Sequence, residues 1–252
     1  MDLLDINAYT PDWPFRRLRH RTADDLLRLM DAAGIARAVV SPLGAAFRLD
    51  ASGPNAELLE FIRNHADRLA AAFAVNPNYP TWEDGLREAL EGGAVALRLY
   101  PNYHAYPTAD SACIEATHAA AEAGLPLLVA ARLQDERSHH PMMKVPPVTP
   151  GALARLAAAV PRARLVVTML RVAEVQGLVE APNLHFDLCG MQGPVGFLAQ
   201  LLEAVGPERL LLGTALPLQY PLPSVEKLRT ATLSPEVHAA IASGNAKRLL
   251  HM

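Results

Sequence analysis

The feature that most constrains this chain is an alternation of short apolar runs with segments of helical character, repeated from one end to the other. Each run is rich in Val, Leu and Ala, which is typical of parallel strands whose two faces are covered by helices. The runs predict eight strands: Leu3–Tyr9, Ala36–Pro42, Leu69–Pro77, Ala94–Pro101, Leu125–Arg132, Arg164–Leu170, Leu184–Cys189 and Arg209–Ala215. Eight strands in strict alternation with helices form either a closed β/α barrel or an open doubly wound sheet.

Helix-start and helix-stop residues separate the predicted strands. Thr22, Asn55 and Thr81 each precede an acidic first turn, where a side-chain oxygen caps free N–H groups. Gly34 stands where a helix has to stop before the next strand. Ser234, followed by Pro and Glu, predicts the start of a final helix that runs almost to the end of the chain.

Length and turn chemistry favour the closed barrel. The first predicted strand is not followed by the glycine-rich turn that a nucleotide-binding open sheet carries at this place. A chain of 252 residues has the usual length of one barrel, and the sequence contains no internal repeat, low-complexity tract or polar linker. The sequence therefore predicts a single (β/α)8 TIM barrel, with one domain spanning residues 1–252.

The net charge and the lengths of the apolar runs limit the classes of partner that this protein can have. The 23 Lys and Arg residues against 26 Asp and Glu give a net charge of -3, which argues against nucleic acid and anionic membranes as partners. The sequence contains no run of about eighteen uncharged apolar residues, which a membrane helix would need. The acidic start does not resemble a signal peptide. Cys113 and Cys189 are too few for a disulfide framework. We expect a cytoplasmic protein.

Four stretches resemble the amidohydrolase superfamily in the expected order: residues 4–16, 93–106, 210–217 and 244–250. The third reads Gly213-Thr-Ala-Leu-Pro where the family usually reads Gly-Thr-Asp-x-Pro. The resemblance implies a β/α barrel, a homodimer and one divalent metal at the barrel mouth. In the family, that metal lowers the pKa of its bound water and supplies hydroxide near neutral pH.

The metal-ligand positions of the family carry unsuitable residues here. The family uses a His-x-His pair on strand one, a His on each of strands five and six, and an Asp on strand eight. By the resemblance these positions are Asn7, Tyr9, Ala130, Met169 and Ala215, with Thr168 as the other candidate on strand six. None is a good ligand for a hard or borderline divalent ion. We therefore expect no metal and no other cofactor.

Polar side chains nevertheless remain at the predicted strand ends, where barrels place their chemistry. The candidate catalytic residues are Asn7, Tyr9, His104 and Asp135, and the candidate substrate-binding residues are Arg98, Arg132, Tyr100 and Arg137. Histidine and carboxyl groups transfer protons, whereas amide and phenol groups polarise a carbonyl. Arginine presents a planar fork that suits carboxylate or phosphate. A small anionic molecule is therefore the expected ligand.

Structural interpretations of the same residues stay open. Arg98 and Arg132 could be satisfied by buried acids such as Asp5 or Asp187. The run from Asp135 to Arg137 could be a solvated loop, and His104 could simply hydrogen-bond its own turn. Cys189 is more often a small buried hydrophobic residue than a nucleophile.

Three functions follow from these observations. The first is a metal-independent hydrolase or lyase that acts on a small carboxylate-bearing molecule. The second is a catalytically silent barrel that binds a ligand or a partner protein. The third is a metal-dependent hydrolase with non-standard ligands. Fold alone does not choose among them.

Overall fold

A computed structural model describes residues 2–194 and 196–252, and within them eight strands alternate with helices. The strands are β1 (Leu3–Tyr9), β2 (Ile35–Ser41), β3 (Leu69–Ala74), β4 (Ala96–Leu99), β5 (Leu127–Ala130), β6 (Leu165–Thr168), β7 (Leu184–Asp187) and β8 (Leu210–Leu211). The helices are α1 (Ala23–Ala33), α2 (Ser52–Ile62), α3 (Trp82–Glu91), α4 (Ser111–Glu122), α5 (Pro150–Ala159), α6 (Val172–Gln176), α7 (Phe197–Val205), α8 (Leu222–Arg229), α9 (Pro235–Ala239) and α10 (Asn245–Leu250). A π-helical turn, Ala240–Gly244, joins the last two helices.

The strands form one parallel sheet in the order β1 to β8, each paired with the next along the chain. Backbone hydrogen bonds close the sheet between its two edges. Ile6 N donates to Leu212 O at 3.0 Å, and Ala215 N donates to Asn7 O at 2.6 Å. The predicted (β/α)8 TIM barrel is therefore confirmed. Among the described residues, no helix combines the length and the hydrophobicity of a transmembrane span.

The capping residues predicted from the sequence mark both ends of α1 but not the start of α2. Thr22 and Asp25 form a capping box at the start of α1, and Gly34 ends that helix in the left-handed conformation with φ 74°. Asn55 was predicted to cap α2, but the helix begins at Ser52 and encloses it. Its amide instead exchanges two hydrogen bonds with the backbone of Ala74, at 2.8 and 2.9 Å. A tertiary contact to β3 replaces the cap.

The interior of the barrel has three levels. An apolar floor contains, among others, Leu4, Ile6, Val39, Leu128, Val166 and Leu211. Next to this floor lies a polar layer of buried side chains: Asp5, Asn7, Ser41, Arg98, Thr168, Asp187 and Thr214. Above it a second apolar group, here called the mouth cluster, includes Tyr9, Trp13, Ala130, Met169, Cys189, Ala215 and Leu218. The polar layer is thus enclosed by apolar side chains below and above.

Candidate functional site

Arg98 is the centre of the polar layer, and its guanidinium is completely buried. Its donors go to three neutral acceptors: Nε to Ser41 Oγ at 3.0 Å, Nη1 to Thr168 Oγ1 at 3.1 Å, and Nη2 to Asn7 Oδ1 at 2.9 Å. The Tyr9 ring lies 5.2 Å from the Arg98 Cζ atom, within the range of a cation–π contact. Each of the three nitrogens of Arg98 therefore makes a hydrogen bond within the protein.

Asp187 is linked to Arg98 through an amide. Asn7 Nδ2 donates to Asp187 Oδ2 at 2.8 Å, while the other end of the same amide accepts from Arg98. The backbone N–H of Met169 donates to Asp187 Oδ1 at 2.8 Å. Burial raises the pKa of Asp187 to about 7, since these hydrogen bonds and the charge of Arg98 only partly offset the loss of hydration.

Asp5 is the second buried carboxyl of the layer. It accepts hydrogen bonds from the backbone of Asn7 at 2.9 Å and from both the backbone and the hydroxyl of Thr214. Burial raises its pKa to about 6, against the lowering effect of those bonds and of Arg98. One cation therefore faces two carboxyls, and the two acids are partly protonated near neutral pH.

The family metal-ligand positions come together at the mouth but do not fit a divalent ion. Ala130 and Ala215 offer no ligand atom, and the Met169 thioether is a soft ligand. Both ends of the Asn7 amide are already bonded, and burial raises the pKa of Tyr9 to about 12. Among residues 2–194 and 196–252, no group of three or more His, Cys, Asp or Glu could hold a metal.

Both candidates for the strand-six position have defined roles. The Thr168 hydroxyl accepts from Arg98 in the polar layer, whereas the Met169 side chain packs in the mouth cluster. Met169 and Ala215 also have positive φ angles, 62° and 59°. Such conformations are uncommon outside glycine and occur where surrounding contacts hold them. The backbone just after β6 and β8 is therefore held in strained conformations.

Beside this filled centre, a cavity of about 220 Å³ opens next to the ends of β5 to β8. We call it the mouth cavity. Three cations line it, Arg132, Arg171 and Lys227, together with one acid, Asp135. The rest of its wall includes Met169, Cys189, Thr214 and Ser224. The charge of its lining is positive.

Arg132 lies at the inner wall of the mouth cavity and is only 5 % exposed. It makes a bidentate pair with Glu174, with Nη1–Oε2 at 2.8 Å and Nη2–Oε1 at 2.5 Å, and Nη1 also donates to Met169 O at 2.6 Å. Its Nε is buried without a hydrogen-bond partner among the described residues and lies 3.7 Å from Glu136 Oε1. Burial raises the pKa of Glu174, but hydrogen bonds from Arg132 and Arg171 outweigh it and hold that pKa below its ordinary value.

Arg171 and Lys227 are the two cations that the sequence reasoning missed. Arg171 is half exposed. Its Nη2 pairs with Glu136 Oε2 and lies 4.0 Å from Asp135 Oδ2. Lys227 projects from α8, and its Nζ donates to Leu188 O at 3.0 Å. Lys227 lies outside the strand-end pattern that guided the predictions. The available signal was its rarity, because the chain has only three lysines.

The predicted site residues therefore separate into different places. Arg132 and Asp135 line the mouth cavity. Asn7 and Arg98 are bonded inside the polar layer, and Tyr9 belongs to the mouth cluster. The Tyr9 hydroxyl is buried without a well-aligned partner, although Thr168 is close enough to lower its pKa slightly.

The other predicted site residues bond to groups of the protein outside the mouth cavity. The Tyr100 hydroxyl donates to Pro42 O at 2.9 Å, and His104 Nε2 lies 2.8 Å from Ala45 O. Burial lowers the pKa of His104, which favours its neutral form. Arg137 is 83 % exposed and pairs with Asp135 two residues before it. Neither Tyr100, His104 nor Arg137 lines the mouth cavity.

Comparisons with known proteins agree with this architecture. The family model described as Amidohydrolase matches residues 5–252. A 2,6-dihydroxybenzoate decarboxylase, solved with 2,6-dihydroxybenzoate, superposes with a TM-score of 0.78 at 16% identity and covers 100% of both chains. A 5-carboxyvanillate decarboxylase from Sphingomonas paucimobilis superposes with a TM-score of 0.74 at 16% identity. The match covers 100% of this chain and 99% of that one.

A dihydroxybenzoic acid decarboxylase from Polaromonas sp. JS666, solved with bound manganese and the inhibitor 2-nitroresorcinol, gives a TM-score of 0.74 at 16% identity. The match covers 99% of this chain and 97% of that one. At such identities these structures show that the fold is shared. No curated protein matches the sequence.

Proposed function

We propose, from the premise that this chain belongs to the amidohydrolase family, that it is a metal-independent lyase or hydrolase. Its substrate is a small carboxylate-bearing molecule held in the mouth cavity. The observation that carries the proposal is the lining of this cavity, where Arg132, Arg171 and Lys227 face a single acid, Asp135. A ligand carboxylate would balance that excess of positive charge.

The ion pairs around the cavity indicate where an anion would bind. Glu174 already occupies the fork of Arg132, and Glu136 holds one nitrogen of Arg171. No ion pair between described residues includes Lys227. The free positive charge is therefore greatest at Lys227 and at the exposed side of Arg171.

Cavity size limits the ligand. The volume of about 220 Å³ is below the roughly 300–1,000 Å³ of pockets that hold drug-sized ligands. The ligand that fits is a small acid. The structural relatives named above are decarboxylases of aromatic carboxylates, which supports a lyase-type reaction.

Metal independence rests on the donor set. One relative was solved with bound manganese, whereas the family ligand positions of this chain provide two alanines, a methionine, a buried phenol and an amide with both ends engaged. In this proposal the chemistry comes from the protein's own groups. Arg171 and Lys227 would hold and orient the carboxylate, and the apolar wall formed by Met169 would exclude water from one side.

Calorimetry with benzoate in the presence of EDTA tests the proposal. We expect binding by the wild type and weaker binding by Arg171→Gln, roughly fivefold, since a partly exposed charge pair contributes about 1 kcal/mol. Arg155→Gln is the matched control, because Arg155 is an exposed arginine on α5 outside the cavity. Equal affinities for all three proteins, or binding that requires a divalent metal, would refute the proposal.

A catalytically silent barrel is the second candidate, and the mouth cluster favours it. Tyr9, Met169 and Ala215 fill the place where the family holds its metal, and their side chains are buried. This candidate predicts benzoate binding without turnover of any carboxylate. Release of CO2 from 2,6-dihydroxybenzoate in the presence of EDTA would exclude it.

A further inference from the structure

Lys227 differs from the other two lysines of the chain in its surroundings. Lys144 and Lys247 are exposed, whereas Lys227 is partly buried and lines the mouth cavity. Its Nζ is fixed by the hydrogen bond to Leu188 O at 3.0 Å. The side chain therefore holds an amine at a defined place beside a cavity of ligand size.

The environment of Lys227 makes its neutral amine more accessible than that of an exposed lysine. Burial lowers its pKa, and the weaker effects of Cys189 and Asp187 only partly oppose this. None of the ion pairs between described residues includes the Lys227 ammonium. A neutral lysine amine in a cavity is a nucleophile toward carbonyl carbon.

Other groups of the same cavity complement this amine. Arg171 can accept a carboxylate, and Arg132 has a buried Nε without a hydrogen-bond partner among the described residues. Ser224 lies one helical turn before Lys227 on α8, and its hydroxyl can hydrogen-bond an oxygen that is gained or lost there. The cavity thus combines a carboxylate site, a nucleophile and a hydroxyl.

We propose that Lys227 forms an imine with a small oxo acid, a molecule that carries both a carboxylate and a ketone or aldehyde. This inference rests on the proposed function and specifies its substrate class and its nucleophile. The Lys227 amine adds to the carbonyl carbon, a C–N bond forms, and the carbonyl oxygen takes up two protons and leaves as water. The resulting iminium is an electron sink adjacent to the substrate chain.

For a 3-oxo acid, the iminium can accept the electron pair that decarboxylation releases. The C–C bond to the carboxylate breaks, its electron pair moves into the new C=C bond while the iminium π electrons return to nitrogen, and CO2 leaves. The enamine takes one proton on carbon. Water then hydrolyses the imine, which releases the ketone and restores the amine. The net reaction consumes one oxo acid and one proton and yields one ketone and CO2.

Reductive trapping tests the proposal with acetoacetate as the probe. The full-length protein is incubated with acetoacetate and sodium borohydride, and the modified lysine is located by peptide mass mapping. We expect modification predominantly at Lys227 and little at Lys144 and Lys247, because only Lys227 lines the cavity that would hold the carboxylate of the probe. Lys144→Arg and Lys247→Arg should keep the adduct.

Lys227→Arg keeps the charge but cannot form an imine, so it should lose the adduct and still be stabilised by benzoate in a thermal melt. Mapping of the wild type alone does not depend on how any variant folds. Equal labelling of the three lysines, or no adduct in a wild type that benzoate stabilises, overturns the imine and leaves the carboxylate site intact. No stabilisation by benzoate together with no adduct overturns both.

Discussion

The buried arginine of the polar layer gives the most quantitative prediction. Arg98→Met removes three hydrogen bonds and the only cation that faces the carboxyls of Asp5 and Asp187 within the polar layer. Removing one member of a buried charged network costs about 3–5 kcal/mol. In a domain of this size each kcal/mol lowers the melting temperature by roughly 2–4 °C. We expect a loss of roughly 6–20 °C at pH 8.

The same variant should show a marked pH dependence. The pKa values of Asp5 and Asp187, already raised by burial to about 6 and about 7, rise further when Arg98 is removed. At pH 5 both carboxyls are then largely neutral and need no cation. At pH 8 the folded protein has to keep the buried carboxyls either ionised without a cation or protonated well above the ordinary pKa of Asp. Both alternatives cost free energy of folding. The destabilisation should therefore be smaller at pH 5 than at pH 8.

Urea denaturation of wild type and Arg98→Met at the two pH values measures this difference. Ser41→Ala is the control, since it deletes one neutral acceptor of Arg98, should cost about 1 kcal/mol, and should cost the same at both pH values. Equal destabilisation of Arg98→Met at pH 5 and pH 8 would show that Arg98 does not compensate the buried carboxyls.

Three further predictions concern neighbouring groups. The pKa of Asp187 is raised from 3.8 to about 7, so its stabilising contribution is full below its ordinary pKa and is lost as pH rises through about 7. Asp187→Asn should therefore lose less unfolding free energy than wild type between pH 5 and pH 8 in urea titrations. Glu174→Gln frees Arg132 and should tighten benzoate binding in calorimetry while lowering the melting temperature. Gly190→Ala should cost about 1–3 kcal/mol in urea denaturation, because φ is 77° and the added Cβ would lie 3.3 Å from Met169 Cα.

The barrel was predictable because its signal is repeated and local. All eight apolar runs became strands, and Thr22 and Gly34 bounded α1 as their chemistry requires. Strand length was less predictable at the last run, where the ladder with β7 ends at Leu211. Beyond it the chain bonds back to β1, and Ala215 takes up a positive φ angle. Closure of the barrel, a long-range effect, decides that end.

The candidate site was only partly predictable, because its character depends on partners far apart in sequence. Arg132 lines the mouth cavity, but the carboxylate that pairs with its guanidinium is Glu174, 42 residues later on α6. Arg98 was expected to meet a ligand or an acid, yet neutral groups from three other strands satisfy its nitrogens. Lys227 lies on α8, whereas the sequence predicts site residues only at strand ends and in the loops that follow them.

A crystal structure with bound benzoate, grown in the presence of EDTA, tests whether the mouth cavity binds a carboxylate without a metal. We expect a carboxylate in the mouth cavity, in contact with Arg171 or Lys227, with the mouth cluster of Tyr9, Met169 and Ala215 still closed. We also expect no contact between benzoate and Arg98, which the polar layer encloses. Benzoate bound in the centre of the barrel, with Tyr9 and Met169 displaced, would show that the mouth cavity is not the carboxylate site.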